Sequence, residues 1–357
     1  MRALVYDPYA DTLGGGERYV LTFILALIKM GYEVDLAWKD DCVISEAARR
    51  FDLDLSAVKI DPGAYQDLSL SAGLLARYRR TKNYDLIFWV SDGSLPYLFG
   101  RKNYIHFQVP FKKIGGNPIN NFLKTQRTKK IIYNSVFTKR VVNPQLPFTS
   151  SVVLYPPIDT DSFKPGKKEN IILSVARFDS PSHAKRQDML IEAFMKLHQQ
   201  KKDYQLILAG AIKGEGGEDY LSLLKQKAEK LPIKFITNPD FNELKKLYAK
   251  AKIFWHTAGY DIDENKEPEK VEHFGITTVE AMSAGAVPVV INKGGQREII
   301  TPGSGLLCNT IEELIENTAR LIDSPDELTI MSTAAIERAQ IFGSKRFGDQ
   351  VGKILHE

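Results

Sequence analysis

Two glutamates eight positions apart, Glu272 and Glu280, carry the first chemistry that can be read in this chain, within EHFGITTVEAMSAGAVPVV (272–290). If a helix begins near Gly275, Glu272 lies in the loop ahead of it and Glu280 about one turn inside. A rise of ~1.5 Å per residue then separates the carboxylates by ~10 Å, so they would grip different parts of one ligand. Between them, the open N–H groups around Gly275, Ile276 and Thr277 suit phosphates. Two hydroxyl-binding carboxylates flanking a phosphate site describe a nucleotide-sugar. The plain alternative is that Glu280 is an exposed helix residue and Glu272 one acid of an acid-rich loop.

A second constellation lies upstream, in SVARFDSPSHAKRQDMLIEAF (174–194). Arg177 closes an apolar strand and Lys185 immediately precedes a helix, so both cationic heads project to one edge of a sheet. There they can neutralise a diphosphate leaving group. A third, LGGGERY (13–19), sits between the first strand and the first helix. Its glycines, Gly15 and Gly16 among them, let the backbone approach a diphosphate or a sugar. The run is not the GxGxxG dinucleotide fingerprint, because its third required glycine is Arg18 or Tyr19, depending on register.

These loops need elements to hold them. ALVYD (3–7), YEVDLAW (32–38), LIFWV (86–90), NYIHF (103–107), KIIYN (130–134) and SVVLY (151–155) are dense apolar runs of the kind buried on both faces of a parallel sheet. A helix from Gly16 to about Met30 follows the first of them. PPIDTDSFKPGKKEN (156–170) reads as a linker. A second series then begins with IILSVAR (171–177) and a helix over Gln187–His198, with Leu190, Ala193, Phe194 and Leu197 on one face. YQLILAG (204–210), IKFI (233–236), KIFWHT (252–257), AVPVVI (286–291) and GLLC (305–308) supply its other strands, and from Pro325 the chain reads as helix only. The expected fold is α/β, two sequential doubly wound halves, 1–157 and 158–341. Ligands then belong beyond the carboxyl ends of the strands.

Composition bounds the answer further. At 357 residues, 43% hydrophobic and 26% charged, the chain suits two globular domains. Cys42 and Cys308 build neither a disulfide framework nor a cysteine metal site, which points to a reducing, cytoplasmic setting. No stretch has the length of a signal-peptide core or a membrane span, so the reading is soluble or peripheral. Up to Pro157 there are 21 Lys/Arg against 14 Asp/Glu, and from Gly93 to Ile158 there is no acid at all. Lys112, Lys113, Lys124, Arg127, Lys129 and Lys130 crowd that segment. Such a block suits an anionic partner or is simply a solvated face.

Taken together, these motifs resemble the family 4 retaining glycosyltransferases of the GT-B fold over essentially the full length. The specific part is Glu-x7-Glu with E-x-F-G and E-A-M-x-x-G, met here as Glu272, Phe274, Gly275, Glu280, Ala281, Met282 and Gly285. NSVFTKR (134–140) and LYPPID (154–159) also fit. The resemblance implies two Rossmann-like domains facing each other across a cleft, with the last helix, about 342–357, returning to the first domain. It implies that Arg177 and Lys185 hold the donor diphosphate, Glu280 the ribose and Glu272 the transferred sugar. Gly15 and Gly16 would approach the phosphate or sugar, and His106 in YIHFQVP would stand near the reacting sugar, although a histidine in an apolar strand is otherwise a core residue. No metal or other cofactor is implied. The long acidic loop AGYDIDENKEPEKV (258–271) departs from many relatives and puts the shape of the sugar subsite in question.

The strings LGGGER and EHFGI are most similar to mannosyltransferases of lipid-linked oligosaccharide assembly. They imply GDP-mannose as donor, with UDP-sugars sharing the same skeleton, and a glycan or lipid-linked acceptor. Front-face attack with retention is implied, the leaving diphosphate taking the acceptor's proton. The basic first half, with GLLARYRRTK (73–82), would suit the cytoplasmic face of an anionic bilayer. A nucleotide-sugar epimerase of the same architecture does not need the Glu-x7-Glu element. A NAD-dependent oxidoreductase would need a better glycine fingerprint, and a nucleic-acid-binding protein leaves the C-terminal motifs unexplained.

Overall fold

The computed structural model describes residues 1–69, 73–179, 185–212 and 216–356. The chain packs as two α/β units, Met1–Pro157 together with Ser344–Glu357, and Ile158–Gly343. The strands of the first are β1 (Arg2–Tyr6), β2 (Glu33–Ala37), β3 (Lys59–Ile60), β4 (Leu86–Val90), β5 (Lys102–Phe107), β6 (Thr128–Tyr133) and β7 (Ser151–Val153). Every pairing is parallel, in the order β3-β2-β1-β4-β5-β6-β7. Helices α1 (Gly15–Lys29), α2 (Cys42–Phe51), α3 (Pro62–Leu68), α4 (Leu74–Thr81), α5 (Pro118–Thr125) and α6 (Val136–Val142) make the crossovers. All five residues of LIFWV are buried, which is why the run shows no polar alternation.

The second unit repeats the scheme. Its strands are β8 (Glu169–Val175), β9 (Gln205–Gly210), β10 (Ile233–Thr237), β11 (Ala251–His256), β12 (Val287–Ile291) and β13 (Leu306–Cys308), parallel in the order β10-β9-β8-β11-β12-β13. Around them run α7 (Gln187–His198), α8 (Gly217–Lys227), α9 (Phe241–Lys250), α10 (Ile276–Ser283), α11 (Gln296–Ile299), α12 (Ile311–Asp323) and α13 (Pro325–Ala339). In both sheets the chain reverses its direction of winding beside the first strand, between β1 and β4 and between β8 and β11. At such a point the flanking loops diverge and leave room for a ligand.

The segment read as a linker is firmly packed. Ile158 and Phe163 are buried, and the Ile158 N–H donates to the Phe342 carbonyl at 2.9 Å. The last helix, α14 (Ser344–His356), lies in the first unit. Phe347, Val351, Ile354 and Leu355 form its apolar stripe at helical spacing, and Phe347 meets Tyr19 of α1 edge-on at 5.1 Å. Lys102 Nζ donates to the Leu355 carbonyl at 2.7 Å. Burying each of those four side chains is worth about 1.5–3 kcal/mol, so the helix is part of that core. No described helix is long and apolar enough to cross a membrane.

Candidate active site

The residues suited to chemistry in the second unit gather where the winding reverses. Strand β8 ends at Val175, so Arg177 belongs to the loop beyond it, with an exposed side chain. Its carbonyl accepts a 2.8 Å bond from Gln187 Nε2, which ties that loop to the start of α7. Residues 180–184, in the middle of the Arg177–Lys185 segment, lie outside the described residues. Lys185, at the end of the same loop, reaches Glu272 with Nζ 2.9 Å from Oε2.

A third member joins them that the sequence did not announce. His256, the last residue of β11, places Nε2 3.2 Å from the same Oε2 of Glu272. The Ala258 N–H donates to His256 Nδ1 at 3.3 Å, which assigns the ring proton to Nε2, facing the carboxylate. Burial works against ionisation of Glu272, but Lys185 and then His256 outweigh it and hold the carboxyl well below its usual range. The side chain of Glu272 keeps 16% of its exposure, so an anchored carboxylate stays reachable by a ligand.

The backbone carrying Glu272 is fixed by a second feature absent from the reading of the sequence. Gly295 N–H donates to the Glu272 carbonyl at 2.8 Å. At Gly294, which has φ +56°, a Cβ would come within 2.1 Å of that same carbonyl oxygen. The glycine pair after β12 is therefore a bed on which residues 272–274 lie. Gly275 then opens α10 as its N-cap at φ +117°, a conformation that glycine adopts without strain. The N–H groups of Ile276 and Thr277, as the first of the helix, have no partner within it. Buried against this turn is Gln296, whose amide has no partner among the described residues. Phe274 is buried edge-on against Phe342 at 5.3 Å. Glu280 faces inward from α10, its Oε2 accepting from Tyr248 Oη at 2.9 Å.

The acidic loop between Gly259 and Val271 is held by pairings of its own. Glu264 bonds Gly294 N–H at 3.0 Å and Arg297 at 2.7 Å, and Asp263 accepts from Asn265 N–H. Through Glu264, the loop braces the glycine bed under Glu272.

In the first unit, Gly15 and Gly16 begin α1 behind the N-cap Gly14. A Cβ on Gly16 would lie 2.1 Å from Gln108 Oε1, so the Gln108 side-chain amide packs directly over that glycine. The helix terminus also already carries an anion, since Glu17 Oε2 accepts from Gly14 N–H at 2.6 Å. Asp7, buried beside it, is pushed up to about 8 by burial and then by Glu17.

His106 belongs to the core of the first unit. It is fully buried within the first unit, stacked on Tyr19 at 4.2 Å and Phe88 at 5.4 Å, with Nδ1 3.1 Å from the Ile132 carbonyl. Its side chain packs on the α1 side of β5. Burial lowers its pKa to about 3. The unfolded value is about 6.5, so the ring's contribution to stability is complete above that pH. It is lost as pH falls toward 3, at up to about 1.4 kcal/mol per pH unit. The melting temperature should therefore fall between pH 6.5 and 5, less steeply in His106→Leu. Parallel melting curves for the two proteins over that range would contradict this.

With the geometry in place, comparison with known proteins is decisive. The family model for glycosyl transferases group 1 matches residues 157–338. The chain belongs to that family. A model for glycosyltransferase family 4 matches residues 13–162 of this group 1 glycosyltransferase. Among curated relatives, the GDP-Man:Man(3)GlcNAc(2)-PP-Dol alpha-1,2-mannosyltransferase of Dictyostelium discoideum is 26% identical over 57% of this chain and 41% of its own length. The Homo sapiens protein of the same name is 29% identical over 56% and 41%. A probable sucrose-phosphate synthase of Thermosipho melanesiensis is 30% identical over 56% and 43%. The match thus spans about two fifths of the length of these relatives. Among solved structures, Anabaena HepE in complex with UDP has a TM-score of 0.75 at 19% identity, covering 100% of each chain. A glycosyltransferase from Rickettsia africae has 0.77 at 17% identity, over 99% and 98%. These neighbours show the fold, the two parallel-sheet α/β domains of GT-B glycosyltransferases.

In this glycosyltransferase, His256 is expected to act through Glu272. Removing one charge-assisted bond costs about 1.5–3 kcal/mol, so His256→Ala should lower kcat about ten- to a hundredfold. With one donor gone and burial unchanged, the acid limb of the kcat/KM profile should also move to higher pH. His256→Gln, which restores a donor, should recover part of both. An unmoved acid limb in His256→Ala would leave the residue with packing alone.

Proposed function

We propose that this chain transfers mannose from GDP-mannose, with retention, to a lipid-linked glycan acceptor. The observation that carries the reading is the convergence of Lys185, Glu272 and His256 beside the N-terminus of α10, at the point where the second sheet reverses its winding. Family membership and the names of the mannosyltransferase relatives support it. In this reading Lys185, Arg177 and the first-turn N–H groups of α10 hold the donor diphosphate. Glu280 takes the ribose hydroxyls, and Glu272, anchored by its two donors, takes hydroxyls of the sugar.

The acceptor oxygen attacks the anomeric carbon on the face from which the diphosphate leaves. The broken C–O bond gives its electron pair to a phosphate oxygen, which then takes the acceptor's proton. The protein's part is to orient the two reactants and to neutralise the leaving group. Two cations and a helix terminus supply that charge, so turnover proceeds without a divalent ion and withstands EDTA. The acceptor is presented at the cytoplasmic face of a membrane, toward which the acid-free stretch Gly93–Ile158 is drawn.

Thermal stabilisation by GDP, GDP-mannose, UDP, UDP-glucose, ADP and NAD tests the donor. A ligand at a hundred times its Kd adds about 2.7 kcal/mol, roughly 5–10 °C for a domain of this size. GDP-mannose should produce that shift in the wild type and none in Glu280→Ala. A shift with UDP-glucose alone would move the donor assignment to a UDP-sugar. No shift with any of the six would remove the donor site.

A further inference from the structure

One helix of the first unit is inside out. In α5 the residues turned inward are polar. Asn121, 8% exposed, donates to the Gly115 carbonyl at 3.0 Å, and Thr125 is 4% exposed. The residues turned outward are apolar, Ile119 at 71% exposure, Phe122 at 44% and Leu123 at 50%. Spacing i, i+3, i+4 is that of a core-facing stripe, yet here it faces solvent. Phe148, 77% exposed on the loop after α6, meets Phe122 edge-on at 5.6 Å and extends the same face. Single exposed apolar side chains are ordinary, but a helix stripe joined to a neighbouring phenylalanine marks a contact surface.

The surroundings indicate what kind of surface it meets. Lys113 and Lys129 are exposed on either side of α5 in sequence, Arg127 lies over Phe99 at 5.6 Å and Lys124 over Tyr97 at 5.5 Å. No acidic residue occurs between Gly93 and Ile158 to oppose them. Tyr78 of α4 packs edge-on against the same Phe99 at 5.3 Å, so α4 shares this edge. There Arg77 and Arg80 are engaged internally, Arg77 with the Leu68 and Ser69 carbonyls and Arg80 with Asp61 and Asp67. The stretch 73–82 thus contributes less charge than its sequence promises.

We propose that the outer face of α5, with Phe148, inserts into the headgroup and acyl boundary of an anionic lipid bilayer. An apolar stripe flanked in sequence by exposed lysines has the composition of a helix lying in such an interface, with charge drawing it to the surface and apolar area holding it there. This deepens the membrane part of the function proposed above and rests on it. It replaces a purely electrostatic attachment by one with a hydrophobic anchor.

Flotation with phosphatidylcholine vesicles containing 30% phosphatidylserine, and with pure phosphatidylcholine, tests it without donor or acceptor. The wild type should float with the anionic vesicles and remain partly bound at 0.5 M NaCl. The double variant Phe122→Ser/Phe148→Ser should bind about tenfold less or weaker, with a melting temperature lowered by only a few degrees because Phe148 is exposed and Phe122 partly so. Lys113→Gln/Lys129→Gln should lose binding chiefly at low salt. In Phe122→Trp, tryptophan emission should shift to the blue when anionic vesicles are added. Equal flotation of the wild type and the double serine variant would overturn the proposal, as would no flotation at all. A concentration-dependent dimer that the serine variant abolishes would assign the face to a second copy of this chain instead. If the nucleotide panel fails while flotation succeeds, the anchor stands and the transferase reading falls. Turnover on a soluble acceptor without flotation would show the reverse.

Discussion

Lys185→Ala is expected to lower kcat/KM for the nucleotide-sugar about a thousandfold. Lys185 meets Glu272 at 2.9 Å and is proposed to neutralise the departing diphosphate. Losing one preorganised donor at a developing charge costs about 10²–10³ in rate, and here a second loss is added. Without Lys185, Glu272 keeps only His256 against the cost of burial, so its carboxyl becomes harder to ionise. Stability should fall as well, since both side chains are largely buried, at 25% and 16% exposure, and removing one partner of a buried pair costs about 3–5 kcal/mol unless the remaining carboxyl takes up a proton. The check is kcat/KM and melting temperature measured together in Lys185→Ala and Lys185→Arg. Arginine should keep the pair with Glu272 but place its charge differently, giving an intermediate rate. Near wild-type turnover in the alanine variant would leave Lys185 as a tether for Glu272 and nothing more.

Gly294→Ala should be severely damaging to the site in the second unit. A Cβ there would stand 2.1 Å from the Glu272 carbonyl oxygen and 2.9 Å from Val271 Cγ2, at φ +56°. The first of these is backbone, so no side-chain rotation relieves the clash. Residues 272–274 would have to lift, and a displacement of about 1 Å at reacting groups can cost about a hundredfold in rate. Gly303→Ala is the matched control, because its φ is +84° with nothing within 4 Å of an added Cβ. It should show only the strain of about 1 kcal/mol, lowering the melting temperature by roughly 2–4 °C with turnover retained. Gly294→Ala should lose at least a hundredfold in kcat/KM and melt lower still. Equal effects in the two variants would mean that close packing at Gly294 is irrelevant.

What the residues alone disclosed depended on how local the cause was. Leu86–Val90 could be read as a buried strand because all five side chains are apolar and both its faces are covered. The two-residue β3 carries no such pattern, since pairing with β2 alone defines it. Glu272 and Lys185 were singled out from loops at strand ends, and the fold brings those loops together. His256 escaped notice because KIFWHT reads only as a strand end, and its partner lies sixteen residues on in another loop. Gly294–Gly295 looks like any turn after a strand, while its purpose resides in a carbonyl contributed by residue 272. His106 is the opposite case. Its position near the end of β5 was legible, but the stacking of Tyr19 from α1 that buries it was not.

The return of α14 to the first unit has a consequence for how the protein comes off the ribosome. Residues 1–157 cannot complete their apolar interior until residues 344–357 have been made, and the 186 residues of Ile158–Gly343 are synthesised in between. At roughly 5–20 residues per second, the nascent first unit waits about 10–40 s with the α14-facing side of α1 uncovered. The second unit has no such debt, being continuous in the chain, and can close as soon as it emerges. Folding order is thereby inverted relative to synthesis order: the domain begun first is finished last, and a chain stalled before Ser344 leaves a sealed second unit joined to an open first.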